Sequence, residues 1–289
     1  MPIVMRANAS HRLRPPSPHR GWLGLSLAGF ALVTAAWAQS GGPTSQYFLT
    51  AGDQSNILIL QGTNSITRPA TGSGQYPITV PVDNIRTTGS STGAAGRGYS
   101  LDGSATGTAF TLPSPITNAF DATTDGISNF LVGFSQQIVF RTNLDYTNPV
   151  ALFSNLGGGS FLGITYDPTN NSLWLSQFGG SLVKDFSLTG SVLSSFTATR
   201  AGGTSLSSLS SLALEYSTDT LWLGSQTTLG TFYQYSKAGV LLQTVTYANL
   251  TGQNTLGGEF AFAAIPEPAT YALLAVGLAG LIWFRRRRA

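Results

Sequence analysis

The stretch Ile164-Thr-Tyr-Asp-Pro-Thr-Asn-Asn-Ser-Leu-Trp-Leu175 decides the fold, because it returns 48 residues later as Leu212-Ala-Leu-Glu-Tyr-Ser-Thr-Asp-Thr-Leu-Trp-Leu223. The alignment places Trp174 on Trp222, and residues 39–264 contain no other tryptophan. A repeat of this length is a supersecondary unit that buries its apolar face only by stacking against neighbouring copies. The central part of the chain is therefore expected to be a repeat protein.

Each copy reads as four short strands separated by turns. In the best copy the predicted strands are Phe161–Tyr166, Ser172–Gln177, Ser181–Ser187 and Val192–Thr197. Asp167–Asn171 has the composition of a turn, and Thr189-Gly190 that of a hairpin tip. The Leu-Trp-Leu strand is apolar at successive positions, so both of its faces should be covered. Four-stranded sheets that repeat every 40–50 residues or so and pack on both faces are the blades of a β-propeller.

The pattern extends towards the N-terminus, where a weaker copy is predicted to start at Phe120-Asp121. Further strand-like segments are Asn56–Leu60, Ile78–Val80 and Ala109–Leu112. These segments predict an all-β propeller of about five four-stranded blades over residues 39–264. Glu259–Ala264 is predicted to be a closing strand that pairs with the N-terminal blade and so removes the free sheet edges. Thr87–Gly96 lacks a strand-like apolar pattern and is expected to be a flexible loop.

Residues 1–38 have the features of a secretory signal peptide. Four arginines precede the short apolar segment Trp22–Ala36. Ala36 and Ala38 then supply the small residues of a cleavage site. A first transmembrane helix is the alternative, but the apolar segment is short and a cleavage motif follows it directly. The domain of residues 39–264 is therefore expected outside the cytoplasm.

Residues 265–289 form a three-part tail. Pro266, Glu267 and Pro268 hold the chain extended, and Ala269–Phe284 is an apolar segment of nearly membrane-spanning length. The basic residues that follow are expected to stay on the cytoplasmic side; they are Arg285, Arg286, Arg287 and Arg288.

This tail resembles the PEP-CTERM sorting signal. The resemblance implies that an exosortase recognises the Pro-Glu-Pro region and processes the tail. The protein would then be anchored in the inner membrane before processing and lie at the outer surface or outside the cell afterwards. An ordinary C-terminal anchor that is never cut is the alternative.

The composition of residues 39–264 excludes several classes of function. This range holds seven basic and eleven acidic residues, so its net charge is −4 and no nucleic-acid surface is expected. It contains no His, Cys or Met. Catalysis by Ser-His-Asp or Cys-His is therefore excluded, as is metal or haem ligation by His or Cys. No cofactor or metal site is predicted.

The charged side chains of the repeats are interpreted as structural rather than catalytic. Asp167 and Glu215 occupy equivalent positions, and two carboxyl groups could serve glycoside hydrolysis at a suitable separation. Acids that begin a turn, however, commonly cap backbone amides. Lys184 and Lys237 are predicted to be solvated hairpin residues. A lysine that activates a serine nucleophile must be buried, so this role is not expected for them. Asp121–Gly126 lacks the twelfth-position acid of a calcium loop and is predicted to be a turn.

The aromatic residues divide into two groups. Trp174 and Trp222, flanked by leucines, are predicted to fill the gaps between blades rather than to stack on sugars. Tyr233, Tyr235 and Tyr247 are predicted to be better placed for a surface role.

Together these features predict an exported protein that is not an enzyme, a structural or binding module linked to exopolysaccharide. One alternative is a carboxylate-dependent glycan hydrolase or lyase on a propeller scaffold, which needs two acids near the central channel. The other is a carbohydrate-binding module without catalysis.

Overall fold

The computed structural model describes residues 41–262, which form five four-stranded antiparallel sheets and one short 3-10 helix. The predicted all-β propeller with about five blades is therefore confirmed. No helix within these residues is long and apolar enough to span a membrane. The predicted cleavage site at Ala36 and Ala38, the Pro266–Pro268 motif, the apolar segment after it and the Arg285–Arg288 block all lie outside the described residues.

The strands follow the chain blade by blade. Blade 1 begins with β1 (Tyr47–Ala51), β2 (Asn56–Gln61) and β3 (Asn64–Pro69). Blade 2 consists of β4 (Gln75–Thr79), β5 (Asn84–Gly89), β6 (Ala95–Ser100) and β7 (Ala105–Thr111). Blade 3 consists of β8 (Ala122–Thr124), β9 (Ser128–Gly133), β10 (Ile138–Asn143) and β11 (Val150–Phe153). Blade 4 consists of β12 (Ser160–Asp167), β13 (Ser172–Phe178), β14 (Leu182–Ser187) and β15 (Val192–Thr197). Blade 5 consists of β16 (Leu209–Glu215), β17 (Thr220–Ser225), β18 (Thr231–Ser236) and β19 (Leu241–Thr246), and the 3-10 helix Ala248–Leu250 and β20 (Gly257–Phe260) follow.

The last strand closes the ring. β20 pairs antiparallel with β1, from Tyr47 opposite Phe260 to Thr50 opposite Gly257, and completes blade 1 as its innermost strand. The predicted closing strand is thus confirmed, although it begins and ends earlier than expected. The five inner strands β20, β4, β8, β12 and β16 each contact the next around the axis. Closure leaves every inner strand with a neighbour on each side, which is how a propeller protects its sheet edges.

The tryptophan repeat is confirmed by the strand registers. Trp174 lies opposite Thr165 and Trp222 lies opposite Ala213, and both indoles are fully buried against the following blade. The predicted packing role of these two side chains is therefore confirmed.

The predicted start of the weaker copy is wrong. The hairpin registers align Asp125 of blade 3, rather than Asp121, with Asp167 of blade 4. Asp121 immediately precedes β8, at the opposite end of the inner strand. The turn after β8 is shorter than the turn after β12. A comparison at constant spacing misses this difference.

The predicted loop at Thr87–Gly96 is too long, since β5 runs to Gly89 and β6 begins at Ala95, so only residues 90–94 connect the two strands. Thr87, Thr88 and Gly89 are fully buried without large apolar side chains. A Cβ on Gly96 would collide with the backbone of Thr87. These strands are buried through close backbone packing, which small residues permit and which an apolar pattern does not reveal.

The propeller has two faces, which the direction of β12 defines. The upper face lies at the Ser160 end of β12 and includes the turns between the second and third strands of the blades. The lower face lies at the Asp167 end. The described chain ends on the lower face, where Phe262 contacts Tyr166 and Tyr216 and donates its backbone N–H to Val80 O.

Candidate functional site

Asp167 and Glu215 lie on the lower face, fully buried, and each accepts a hydrogen bond from the indole of its own blade. Trp174 Nε1 lies 3.3 Å from Asp167 Oδ2, and Trp222 Nε1 lies 2.9 Å from Glu215 Oε2. Asp167 also accepts the Thr169 backbone N–H, as a turn-capping acid does. These hydrogen bonds support the interpretation of Asp167 and Glu215 as structural acids rather than catalytic ones.

The same two acids fasten each blade to the next. Lys237 of blade 5 forms an ion pair with Asp167 of blade 4, with 2.7 Å between Nζ and Oδ2. Glu215 accepts the Thr44 hydroxyl at 2.6 Å and the Ser45 backbone N–H at 2.7 Å, just before β1. The carboxyl groups therefore connect blade 4 to blade 5, and blade 5 to blade 1.

The two lysines are not the solvated residues that were predicted. The Lys237 side chain is only 18% exposed and also pairs with Asp219. Lys184 donates to Leu156 O at 2.8 Å, and its Nζ lies 5.3 Å from the centre of the Phe161 ring. Lys237 binds two carboxylates and Lys184 binds a backbone carbonyl. These partners come from other parts of the chain, so the sequence of one hairpin does not reveal them.

The predicted surface role of Tyr233, Tyr235 and Tyr247 is wrong, because all three are buried. Their hydroxyl groups donate to Thr228 Oγ1, Thr199 O and Gly62 O, respectively. Tyrosine is buried readily when its hydroxyl finds such a partner.

The Asp121–Gly126 segment contains a turn only in its second half. Asp125 Oδ1 accepts the backbone N–H groups of Ile127 and Ser128, which is a local turn. Asp121 is fully buried instead and accepts the N–H groups of Ala122, Ile164 and Gly258. Within residues 41–262 there is no group of three or more His, Cys, Asp or Glu side chains that could hold a metal ion.

Asp121 and Glu259 are acids that converge near the axis, and neither was predicted as a site from the sequence. Asp121 joins the inner strands of blades 3, 4 and 1 through its three backbone partners. Glu259 Oε1 accepts a hydrogen bond from the backbone N–H of Phe260. Burial raises the pKa of both carboxyl groups well above the ordinary value, and the negative charge of Glu259 raises that of Asp121 further. Both are inaccessible to solvent, so they suit a structural role at the centre of the ring.

The upper face carries an arc of partly exposed aromatic rings around the axis, which we call the aromatic arc. It consists of Tyr76, Phe120, Phe134 and Phe178. Successive rings meet edge to face, with centroid separations of 5.7, 5.4 and 5.7 Å. This edge-to-face geometry stabilises the arrangement and keeps part of each ring open to solvent.

A depression of about 120 Å³ lies beside three rings of the arc, those of Phe120, Phe134 and Phe178. Leu162, Gln226 and Leu256 complete its lining, so side chains from four blades contribute to one small, almost wholly apolar site. Ligand sites are concave and lined mainly by hydrophobic and aromatic side chains, and this depression shares both features. This depression is the candidate functional site.

The aromatic arc was not predicted from the sequence. Phe134 and Phe178 occupy the same blade position, each six residues after the first residue of its second strand, and Gln226 holds that position in blade 5. The correct register of blade 3 would have aligned them. Tyr76, Phe120 and Leu162 also share a blade position, each three residues before an inner-strand threonine that lies opposite the third residue of the second strand. Only the closed ring brings these residues next to Phe134 and Phe178.

Comparisons with known proteins agree with the sequence and the fold. The PEP-CTERM protein-sorting motif matches residues 264–288, which confirms the resemblance of the tail. The motif supports an exported protein that associates with a membrane and is processed by exosortase. No curated protein matches the chain.

Several solved structures are similar to the chain at low identity. A chain of the nidogen/laminin complex is 12% identical, with a TM-score of 0.52 over 76% of this chain and 100% of that one. A streptogramin B lyase is 14% identical (TM-score 0.43; 74% of this chain, 69% of that one). Glutaminyl cyclase from Myxococcus xanthus is also 14% identical (TM-score 0.45; 66% and 72%). At these identities the similarity concerns the fold alone.

Proposed function

We propose that this exported, exosortase-sorted propeller is a non-catalytic binding module that presents its upper face to a matrix polysaccharide. The aromatic arc is the observation that carries the proposal. Rings that are partly exposed in a shallow apolar depression suit a ligand with its own flat apolar surfaces, and the C–H faces of pyranose rings have that character.

The position of the tail supports this orientation. The sorting motif begins at residue 264, two residues after Phe262 on the lower face. Seven residue steps separate Phe262 from Ala269, where the apolar segment begins, and they span at most about 25 Å when extended. A tail that leaves from the lower face favours an orientation with this face towards the membrane and the aromatic arc directed away.

Binding through the arc is tested with the variants Phe134→Ala and Phe178→Ala, assayed for retention by the host's own polysaccharide in affinity electrophoresis. We expect each variant to lose about tenfold in affinity, since a stacked aromatic ring contributes on the order of 1.5 kcal/mol. Phe153→Ala, a partly buried phenylalanine that stacks on Phe186 away from the arc, is the control. Equal retention of all three variants would refute the site.

Sorting is tested by replacing Pro266, Glu267 and Pro268 with alanine. We expect the tail to remain on the protein and the protein to remain in the inner membrane. Mass spectrometry of material from cells and from medium gives both termini and the location. Export and trimming at the normal level in this variant would contradict the role of the motif.

The hydrolase or lyase alternative is less well supported. Asp167 and Glu215 are buried and engaged with partners on the lower face, far along β12 and β16 from the depression. We therefore expect no release of new reducing or unsaturated ends when the protein is incubated with the host's polysaccharide. Turnover that disappears in Asp167→Asn or Glu215→Gln would reverse this assignment.

A further inference from the structure

A second opening lies at the side of the propeller, between blades 2 and 3, and we call it the blade 2–3 groove. Its volume is about 460 Å³. It is lined by Asn84, Arg86, Gly98, Thr106, Thr108, Phe110 and Asp145. It shares no residue with the aromatic arc.

The groove exists because blade 2 departs from the repeat at one position. Arg86 lies opposite Thr79 on the inner strand and Gly98 on the third strand. Trp174 occupies the same place in blade 4, and Trp222 in blade 5. In those blades a buried indole fills the gap to the next blade. In blade 2 the gap holds a guanidinium group and remains open.

Glycine on the third strand enlarges the gap. A Cβ on Gly98 would lie 2.6 Å from Thr106 Oγ1 and 3.5 Å from both the Phe110 ring and Thr108. The absence of a side chain at this position therefore leaves room beside the two threonine hydroxyls. The corresponding residues in blades 4 and 5 are Asp185 and Gln234.

Arg86 is held in place by bonds that leave part of its guanidinium uncommitted. Nε donates to Asn84 Oδ1 at 2.9 Å, and Nη1 donates to Leu144 O of blade 3 at 2.7 Å. Within residues 41–262, Nη2 has no hydrogen-bond partner. The guanidinium carbon lies 5.7 Å from the centre of the Phe110 ring, a cation–π distance. The Arg86 guanidinium is therefore a preorganised hydrogen-bond donor beside the apolar Phe110 ring.

Asp145, which also lines the groove, supplies an acceptor. It is exposed, and its Oδ1 accepts both the backbone N–H and the hydroxyl of Thr147. Oδ2 is free of these bonds. Hydrogen bonds from Thr147 lower the pKa of Asp145, so the carboxylate is ionised at neutral pH.

We infer that the blade 2–3 groove binds a neutral pyranose residue of a polysaccharide. Arg86 donates to a hydroxyl or ring oxygen, Asp145 Oδ2 accepts from a hydroxyl, the threonine hydroxyls do both, and Phe110 contacts the apolar side of the ring. A polyanion fits less well, because Asp145 faces Arg86 and the domain has a net charge of −4. This site is independent of the upper-face ligand.

The test uses the full-length protein and calorimetric titration with neutral hexasaccharides of glucose and of mannose, with oligogalacturonate of equal length as the acidic probe. The central variant is Arg86→Trp, which fills the gap as Trp174 and Trp222 do. The second is Asp145→Asn, which keeps the turn-forming oxygen and removes the charge. Asp102→Asn is the matched control, because Asp102 makes similar turn bonds in the β6–β7 hairpin but lies outside the groove.

We expect a neutral hexasaccharide to bind and both groove variants to weaken it about tenfold or more, as loss of a charged hydrogen bond does. Asp102→Asn and Phe134→Ala should leave this binding unchanged. The inference is overturned if no neutral probe binds, if oligogalacturonate binds more tightly, or if both groove variants bind normally. If binding disappears in Phe134→Ala and not in the groove variants, the sugar site is the aromatic arc, and the groove is again excluded. Asp145→Asn decides the matter should Arg86→Trp fail to fold.

Discussion

The two equivalent tryptophans allow a direct comparison of the hydrogen bonds that hold the blades. Replacing each by phenylalanine keeps an aromatic ring in the gap and removes the indole N–H. Trp222 donates at 2.9 Å to Glu215, whose partners within residues 41–262 are hydrogen-bond donors without a cation among them. Trp174 donates at 3.3 Å to Asp167, which keeps its ion pair with Lys237.

The two substitutions should therefore differ in their effect on the free energy of unfolding. A hydrogen bond to a charged group contributes about 1.5–3 kcal/mol, and we assign the upper part of this range to Trp222 and the lower part to Trp174. Loss of about 40 Å³ of side chain leaves a cavity that costs roughly 1 kcal/mol at either position. We expect Trp222→Phe to cost about 3.5 kcal/mol and Trp174→Phe about 2.5 kcal/mol.

The assay is urea unfolding at neutral pH with the wild type and both variants measured side by side. With a slope of about 2–3 kcal/mol per molar urea, Trp222→Phe should lower the midpoint by more than about 1 M. A double-mutant cycle with Glu215→Gln isolates the bond, and a coupling of at least about 1 kcal/mol is expected. If Trp174→Phe proves as costly as Trp222→Phe, or if the coupling is absent, the assignment of these bonds is wrong.

Two further predictions concern the closing strand. Burial raises the pKa of Glu259 above its ordinary value of 4.5, so the folded protein keeps a proton that the unfolded chain releases as the pH rises. Stability should therefore fall with pH from about 4.5 upwards, and Glu259→Gln should make thermal unfolding less pH-dependent; an unchanged pH profile would contradict the burial of this acid. Gly257→Ala should destabilise by more than about 2 kcal/mol, because its Cβ would collide with Tyr76 O, whereas a Cβ on Gly252 meets nothing within 4 Å and Gly252→Ala should be neutral. Equal denaturant midpoints for the two alanine variants would contradict this prediction and show that β20 can shift to accommodate the added Cβ.

Local chemistry made much of the fold predictable. The Leu-Trp-Leu strands, the turn formers between them and their return at a constant spacing indicated four-stranded blades, because these features depend on neighbours in the chain. Closure of the ring by the last strand followed from the need to protect sheet edges. The strand pair around Ser90–Ala94 was missed because its burial comes from backbone packing of small residues, which has no apolar periodicity.

The sites were less predictable, for a reason of geometry. The aromatic arc combines Tyr76, Phe120, Phe134 and Phe178 from three blades. Arg86 becomes a ligand-binding candidate only when it is seen in the place of a tryptophan, beside a glycine of the third strand. Both arrangements depend on the exact strand registers and on contacts between blades, which the sequence pattern alone did not reveal.

The sequence by itself determined the repeat, the strand pattern, the exclusion of His- and Cys-based chemistry and the sorting address, since each depends on residue types in a continuous stretch. Only the tertiary structure decided which blade gap stays open, which rings meet on the upper face and which acids are buried at the axis. These properties depend on contacts between residues from different blades, and the closed ring alone brings those residues within van der Waals distance.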